Sequence, residues 1–172
     1  MPTRIARPLL IIAAACLLTA CGFQLRGSGG AMVPDDWKSM YLDTDNPNGE
    51  LSREVRNTFT ASGVQWTESS DEANYRLVLG GERFSQRNLS ISADARAAEF
   101  EFTMATRFSV RAADGSEVMP TTNASVIQQM ENDPRNVVGK SEEMRIIKSE
   151  MRVELAQQVL RRIGFFAASS AP

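Results

Sequence analysis

The chain of 172 residues contains no histidine. That removes the usual imidazole base, any serine–histidine relay and every histidine metal ligand. Cysteine is nearly as scarce. Only Cys16 and Cys21 occur, both near the start, so everything after Cys21 lacks a disulfide, a thiol nucleophile and a thiolate zinc site. No apolar run reaches the ~20 residues of a membrane-spanning helix. Positive charge is not in excess either: 19 Lys and Arg stand against 21 Asp and Glu, for a formal charge of −2. A chain with that balance is no general binder of nucleic acid or of anionic surfaces, and an anion must be met by a local cluster of cations. Two fragments imitate catalytic motifs. Gly139-Lys140-Ser141 has the end of a phosphate-binding loop, but Pro134 stands where its first glycine belongs and no buried strand leads in. Glu99 and Glu101 share one face of a strand, where paired carboxylates are ordinarily solvated. The sequence therefore reads as non-enzymatic, with no metal and no cofactor.

What is present begins with an export signal. Arg4 and Arg7 precede a short apolar stretch over residues 9–18, and Leu18-Thr19-Ala20-Cys21 places a small residue directly before a cysteine. Lipoprotein signal peptidase cuts at such a box after diacylglycerol is attached to the cysteine sulfur. Further acylation of the new amino group makes a durable anchor, since each buried methylene contributes roughly 0.8 kcal/mol. The expected organisation is a signal peptide over 1–20, a lipidated start and flexible tether over 21–34, one domain over 35–166 and a disordered tail over 167–172. Loss of Arg4 and Arg7 with the signal takes the formal charge from −2 to −4. The Gly27-Ser28-Gly29-Gly30 run has the composition of a spacer and no core-forming period.

Within the domain, residues 37–43 read as a short strand closed by Asp45-Asn46-Pro47. Asn48 is a plausible helix N-cap, and Leu51, Val55 and Phe59 recur every four residues to form one apolar stripe, up to Gly63. A second strand begins at Tyr75, is bent by Gly80-Gly81 and runs through Phe84. A polar reversal is expected over 86–96. Beyond it, Phe100, Phe102, Met104, Thr106, Phe108 and Val110 alternate with polar or small neighbours, the period of a strand with one dry and one wet face. Ala113-Asp114-Gly115-Ser116 turns the chain into a fourth strand over 117–130, and Pro120 marks that strand as an edge or a bulge. Asp133-Pro134 has the form of a cap before a long helix carrying Met144, Ile147, Met151, Leu155, Val159 and Ile163. Gly164 is expected to end it, with Phe165 folding back on the last turn. The Met151 stripe is more simply core packing than an acyl-chain groove. The expected fold is α+β: a mainly antiparallel four-stranded sheet with two helices packed on one face.

Three stretches carry a resemblance. Cys21-Gly22-Phe23-Gln24-Leu25-Arg26-Gly27, the run Asp45-Asn46-Pro47-Asn48-Gly49-Glu50-Leu51-Ser52-Arg53-Glu54-Val55-Arg56-Asn57, and Ala98-Glu99-Phe100-Glu101-Phe102 resemble the LptE family of lipopolysaccharide-assembly lipoproteins in order and spacing. The resemblance implies an outer-membrane lipoprotein on the periplasmic side. It also implies a partner, the LptD-type barrel, whose lumen the domain plugs one-to-one, and a role in placing lipopolysaccharide in the outer leaflet. Gly22, rather than an aspartate, after the lipidated Cys21 agrees with sorting to the outer membrane. A lipopolysaccharide head group is phosphorylated, and a guanidinium fork pairs such groups in two places at once. Arg87, Arg96 and Lys140 are the candidate contacts, because two flank one strand reversal and the third opens the long helix. The competing reading is a general envelope scaffold or binding lipoprotein with no part in lipopolysaccharide transport.

Overall fold

The computed structural model describes residues 33–91, 97–131 and 139–170. The signal peptide, Cys21, the Gly27–Gly30 tether, Arg96 and the Asp133-Pro134 cap lie outside the described residues. A single 3-10 turn, Asp35–Trp37, opens the fold, so Trp37 precedes the first strand rather than beginning it. Then follow β1 (Ser39–Asp43), helix α1 (Glu50–Ala61), the two-residue β2 (Gln65–Trp66), β3 (Tyr75–Leu79), β4 (Arg83–Ile91), β5 (Ala97–Ala112), β6 (Glu117–Glu131) and helix α2 (Gly139–Ser170).

The sheet is mixed and has six strands, not four antiparallel ones. β1 runs parallel to both β2 and β3, while β3, β4 and β6 all pair antiparallel with β5. β3 and β4 lie along successive stretches of β5, Leu79 opposite Phe108 and Arg83 opposite Ala105. They are in effect one strand bent at Gly80-Gly81. The bend needs glycine at its first position. A Cβ on Gly80 would stand 3.0 Å from the Arg107 carbonyl oxygen, whereas one on Gly81 would meet nothing. The Gly80 N–H donates to that same oxygen, and the Thr106 hydroxyl donates to the Gly80 carbonyl, so the corner is stitched on both sides.

Alternation in β5 sorts the layers. Phe102, Met104, Thr106, Phe108 and Val110 are almost fully enclosed on one face. Against that face lie Leu51, Val55 and Phe59 of α1 together with Met151, Leu155, Val159 and Ile163 of α2, all in one core cluster. Both helices therefore pack on the same side of the sheet, as expected. Among the described residues no helix covers the other face. The edge strand β6 shifts register between its pairing of Thr122 with Phe108 and of Met119 with Val110, which places Pro120 in the bulge.

Three further expectations are corrected. The polar reversal is shorter than 86–96, because β4 continues to Ile91. Residues 85–89 are exposed on both faces, so no apolar period marks this part of the strand, and pairing with β5 alone defines it. The α1 N-cap is Gly49 rather than Asn48, with no side-chain cap. Gly164 does not end α2. The glycine is buried within the helix, which continues through a buried Ala167 to Ser170 and leaves Phe165 projecting outward instead of folding back.

Candidate functional site

α2 has 32 residues and, at 1.5 Å per residue, is about 48 Å long. Its first turns lie over the start of β5 and its last turns beside Trp37 and Tyr75. Of the candidate cations, Arg87 and Lys140 lie toward the first of these ends. Arg87 on β4 stands opposite Glu101 on β5, and its Nε donates to Glu101 Oε1 at 2.5 Å. The two groups differ sharply in setting: the Arg87 side chain is 69% exposed, that of Glu101 only 10%. The hydrogen bond from Arg87 is the main cause holding the Glu101 carboxyl below its ordinary value. Its removal from water opposes that, and the Arg87 charge and a hydrogen bond from Gln129 assist it. The wet face of β5 is thus less open at Glu101 than alternation alone suggests.

Lys140 lies at the same end but across the sheet. Its ammonium sits 4.5 Å from the centre of the Phe100 ring. Phe100 and Glu101 are neighbours on β5, so their side chains leave opposite faces. Arg87 and Lys140 are therefore at one end of the molecule and on opposite sides of β5. They do not converge on one face.

Sequence reasoning missed two cations. Lys148 repeats the Lys140 arrangement eight residues later, with its ammonium 4.4 Å from the Phe84 ring centre. Phe84 in turn stacks on Phe102, with ring centres 5.6 Å apart. Two lysines on α2 thus cap two rings of the sheet, the buried Phe100 and the half-buried Phe84, each by a cation–π contact. The spacing of 140 and 148 along one helix was legible, but not which rings lay beneath. The other is Arg152, whose side chain is only 15% exposed. Its guanidinium grips both carboxylate oxygens of Glu82, at 2.6 and 3.0 Å, and reaches Glu50 at 2.7 Å. The Glu82 hydrogen bond is the first cause raising the Arg152 pKa further. This fork ties α2 to the first turn of α1 and to the Gly80-Gly81 corner.

Between α1 and α2 lies an open cleft of about 590 Å³, lined by charged groups including Glu50, Arg53, Arg145 and Lys148. Among the described residues no cluster of acidic or sulfur ligands is placed to hold a metal ion. No described helix is long and apolar enough to cross a membrane.

Comparison with known proteins follows the same outline. The sequence profile of the LptE family, described as lipopolysaccharide-assembly, matches residues 37–163. An LPS-assembly lipoprotein LptE from Photorhabdus laumondii is 31% identical over 157 residues, covering 90% of this chain and 83% of the relative. One of the same name from Pectobacterium atrosepticum is 29% identical over 158 residues with the same coverage. Among solved structures, lipoprotein B from Nitrosomonas europaea superposes with a TM-score of 0.71 at 17% identity, over 86% of this chain and 94% of that one. The rare lipoprotein B from Shewanella oneidensis does so with a TM-score of 0.67 at 23% identity, over 76% and 96%. At such identities the two structures speak for the fold alone.

Proposed function

Because the chain belongs to the LptE family of lipopolysaccharide-assembly lipoproteins, we propose that it is anchored at the outer membrane through lipid on Cys21 and seated inside an LptD-type barrel. There it acts as a plug and as a contact for lipopolysaccharide, without catalysis and with no cofactor other than the covalent lipid. The observation that carries this reading, beyond family membership, is the uncovered face of the sheet. Both helices pack on the other side, leaving Arg83, Ser85, Arg87, Glu99, Arg107, Ser125 and Gln129 exposed on a mainly polar face that also carries the exposed Ile127. The lumen of a large outer-membrane barrel is polar and wet, and a polar strand face meets such a wall through hydrogen bonds and bridging water.

For lipopolysaccharide, the cations assigned are Arg87, Arg96 and Lys140. Arg87 and Lys140 stand at the same end of the sheet, one on each side of β5, an arrangement suited to an anionic head group that meets the end of the strands rather than either face. Exposed guanidinium groups form charge-assisted pairs with phosphate that weaken as salt rises. Purification of the lipidated chain from envelope extracts tests the assembly reading. A large barrel protein recovered in one-to-one ratio supports it. Recovery of the chain alone, in detergent that preserves other envelope complexes, overturns it in favour of a general scaffold.

A further inference from the structure

Phe165 is the most exposed large apolar side chain among the described residues, at 72%. It stands on the outward side of α2. Val159, Ile163 and Ala167 point inward and are buried. Arg161 lies one turn before Phe165 on the same side and is itself exposed, and Arg162 is adjacent, with its guanidinium donating to the Asn123 carbonyl. A single exposed ring needs no explanation by itself. The position of this one does.

The end of α2 that carries Phe165 is also the end at which the described chain begins. Pro34 and Trp37 share a small cleft with Ala167 and Ser170, and the Phe166 ring packs edge-on against Trp37 at 6.3 Å. Val33, buried in the core, is 12 residues after Cys21 in the sequence. Twelve extended residues reach roughly 40 Å at most, less than the ~48 Å length of α2. Lipid on Cys21 would therefore keep the Phe165 end of the domain within roughly 40 Å of the bilayer.

We propose that the outward side of α2 at Phe165 rests on the phospholipid surface that holds the Cys21 lipid, with the ring entering the interface and Arg161 pairing with lipid phosphate. This rests on the lipidation reading given above. An aromatic ring with an arginine one turn away has the pattern of an interfacial contact, apolar body inward and charged tip at the phosphates. Asp36 borders the same end, so the contact is local and owes nothing to net charge. The tether makes it intramolecular, which lets a small patch suffice.

The mature chain has no thiol apart from the acylated Cys21, so Phe165→Cys introduces a unique site for an environment-sensitive fluorophore, and exposed Val153→Cys, three turns earlier on α2, serves as control. Both lipidated proteins are reconstituted in vesicles of phosphatidylethanolamine and phosphatidylglycerol, three to one. The expected result is a blue-shifted emission at 165, quenched several-fold more by shallow spin-labelled lipid than the label at 153. As a probe-free companion, amide exchange over 158–170 slows on vesicles for the native chain and not for Phe165→Ser. Equal, water-like emission at both sites in a chain that floats with vesicles overturns the contact and leaves lipidation intact. Protection at 165 that appears only when a barrel partner is added also overturns it, since the occupant is then protein. A chain without palmitate on Cys21 that does not float overturns the lipidation reading and this contact with it.

Discussion

Phe102 has no exposed surface, and its ring stacks on Phe84 while Phe100 tilts toward it at 6.2 Å. Phe102→Ala removes that ring from the middle of the core and leaves a cavity which strand pairing on both sides of β5 keeps from collapsing. The expected loss is about 3–5 kcal/mol, read from the denaturant midpoint. Ile127, on β6 and 58% exposed, is the control: Ile127→Ala should change stability by no more than about 0.5 kcal/mol. One residue from Phe102, Glu101 behaves differently. Its carboxyl is held below the ordinary value of 4.5 by the hydrogen bond from Arg87, so the unfolded chain takes up this proton before the folded chain does as the pH falls. The contribution is therefore complete above the ordinary glutamate range and disappears as the pH drops through the lowered value. Glu101→Gln removes it. The stability difference between native chain and variant should be present at pH 7 and shrink steadily below pH 4.5; a difference that grows in acid would mean the pair does not form.

At the scale of elements, legibility followed periodicity. The alternation from Phe100 to Val110 identified β5 and its dry face, and the four-residue spacing of Leu51, Val55 and Phe59 identified α1, because each pattern reports burial on one side only. Where burial is two-sided, absent or too short, the pattern fails. β2 is two residues long and has no period to read, yet it sets the parallel pairing at that edge of the sheet. Over residues 85–89, β4 is exposed on both faces and resembles a loop in sequence. Gly164 resembles a helix stop, but in a helix packed this closely it is an interior position. The candidate site was legible as residue types and as an end of the fold. The partners were not: nothing local in the sequence pairs Arg87 with Glu101, or Arg152 with Glu82 across 70 positions. The Gly80-Gly81 corner was foreseen as a bend, and the structure distinguishes its two members. Gly80→Ala should destabilise the fold by about 1–3 kcal/mol, because the obstacle is the Arg107 backbone and neither strand can give way without breaking the ladder. Gly81→Ala should be close to neutral by the same thermal-unfolding measurement, and equal losses at both positions would mean that strain elsewhere sets the corner.

Over the whole molecule, a single helix joins two ends of different character. One carries Trp37, Tyr75, Phe166 and the beginning of the described chain; the other carries Arg87 and Lys140 on either side of β5. Arg152, forked between Glu82 and Glu50 near the middle, keeps the helix in register with the sheet so that the two ends hold their spacing. This arrangement separates two ways in which lipopolysaccharide can be met. A head group lying on the open face of the sheet touches Arg87 and is shielded from Lys140 by β5. A head group meeting the strand ends touches both. Arg87→Gln alone would leave the enclosed Glu101 carboxylate without its cation, so the informative variant is Arg87→Gln with Glu101→Gln, which removes the pair together. It is to be compared with Lys140→Gln and with the combination of all three, by binding to purified lipopolysaccharide at low and at moderate salt. End-on contact predicts a several-fold loss for each variant, a larger loss for the combination and a shallower salt dependence throughout. Contact on the open face predicts loss with the Arg87 and Glu101 pair only, with Lys140→Gln indistinguishable from the native chain. Lys140→Gln gives up its contact over the Phe100 ring, so its thermal stability should fall by no more than about 1 kcal/mol in either case. Unchanged affinity of the combined variant at low salt would remove Arg87 and Lys140 from the contact altogether.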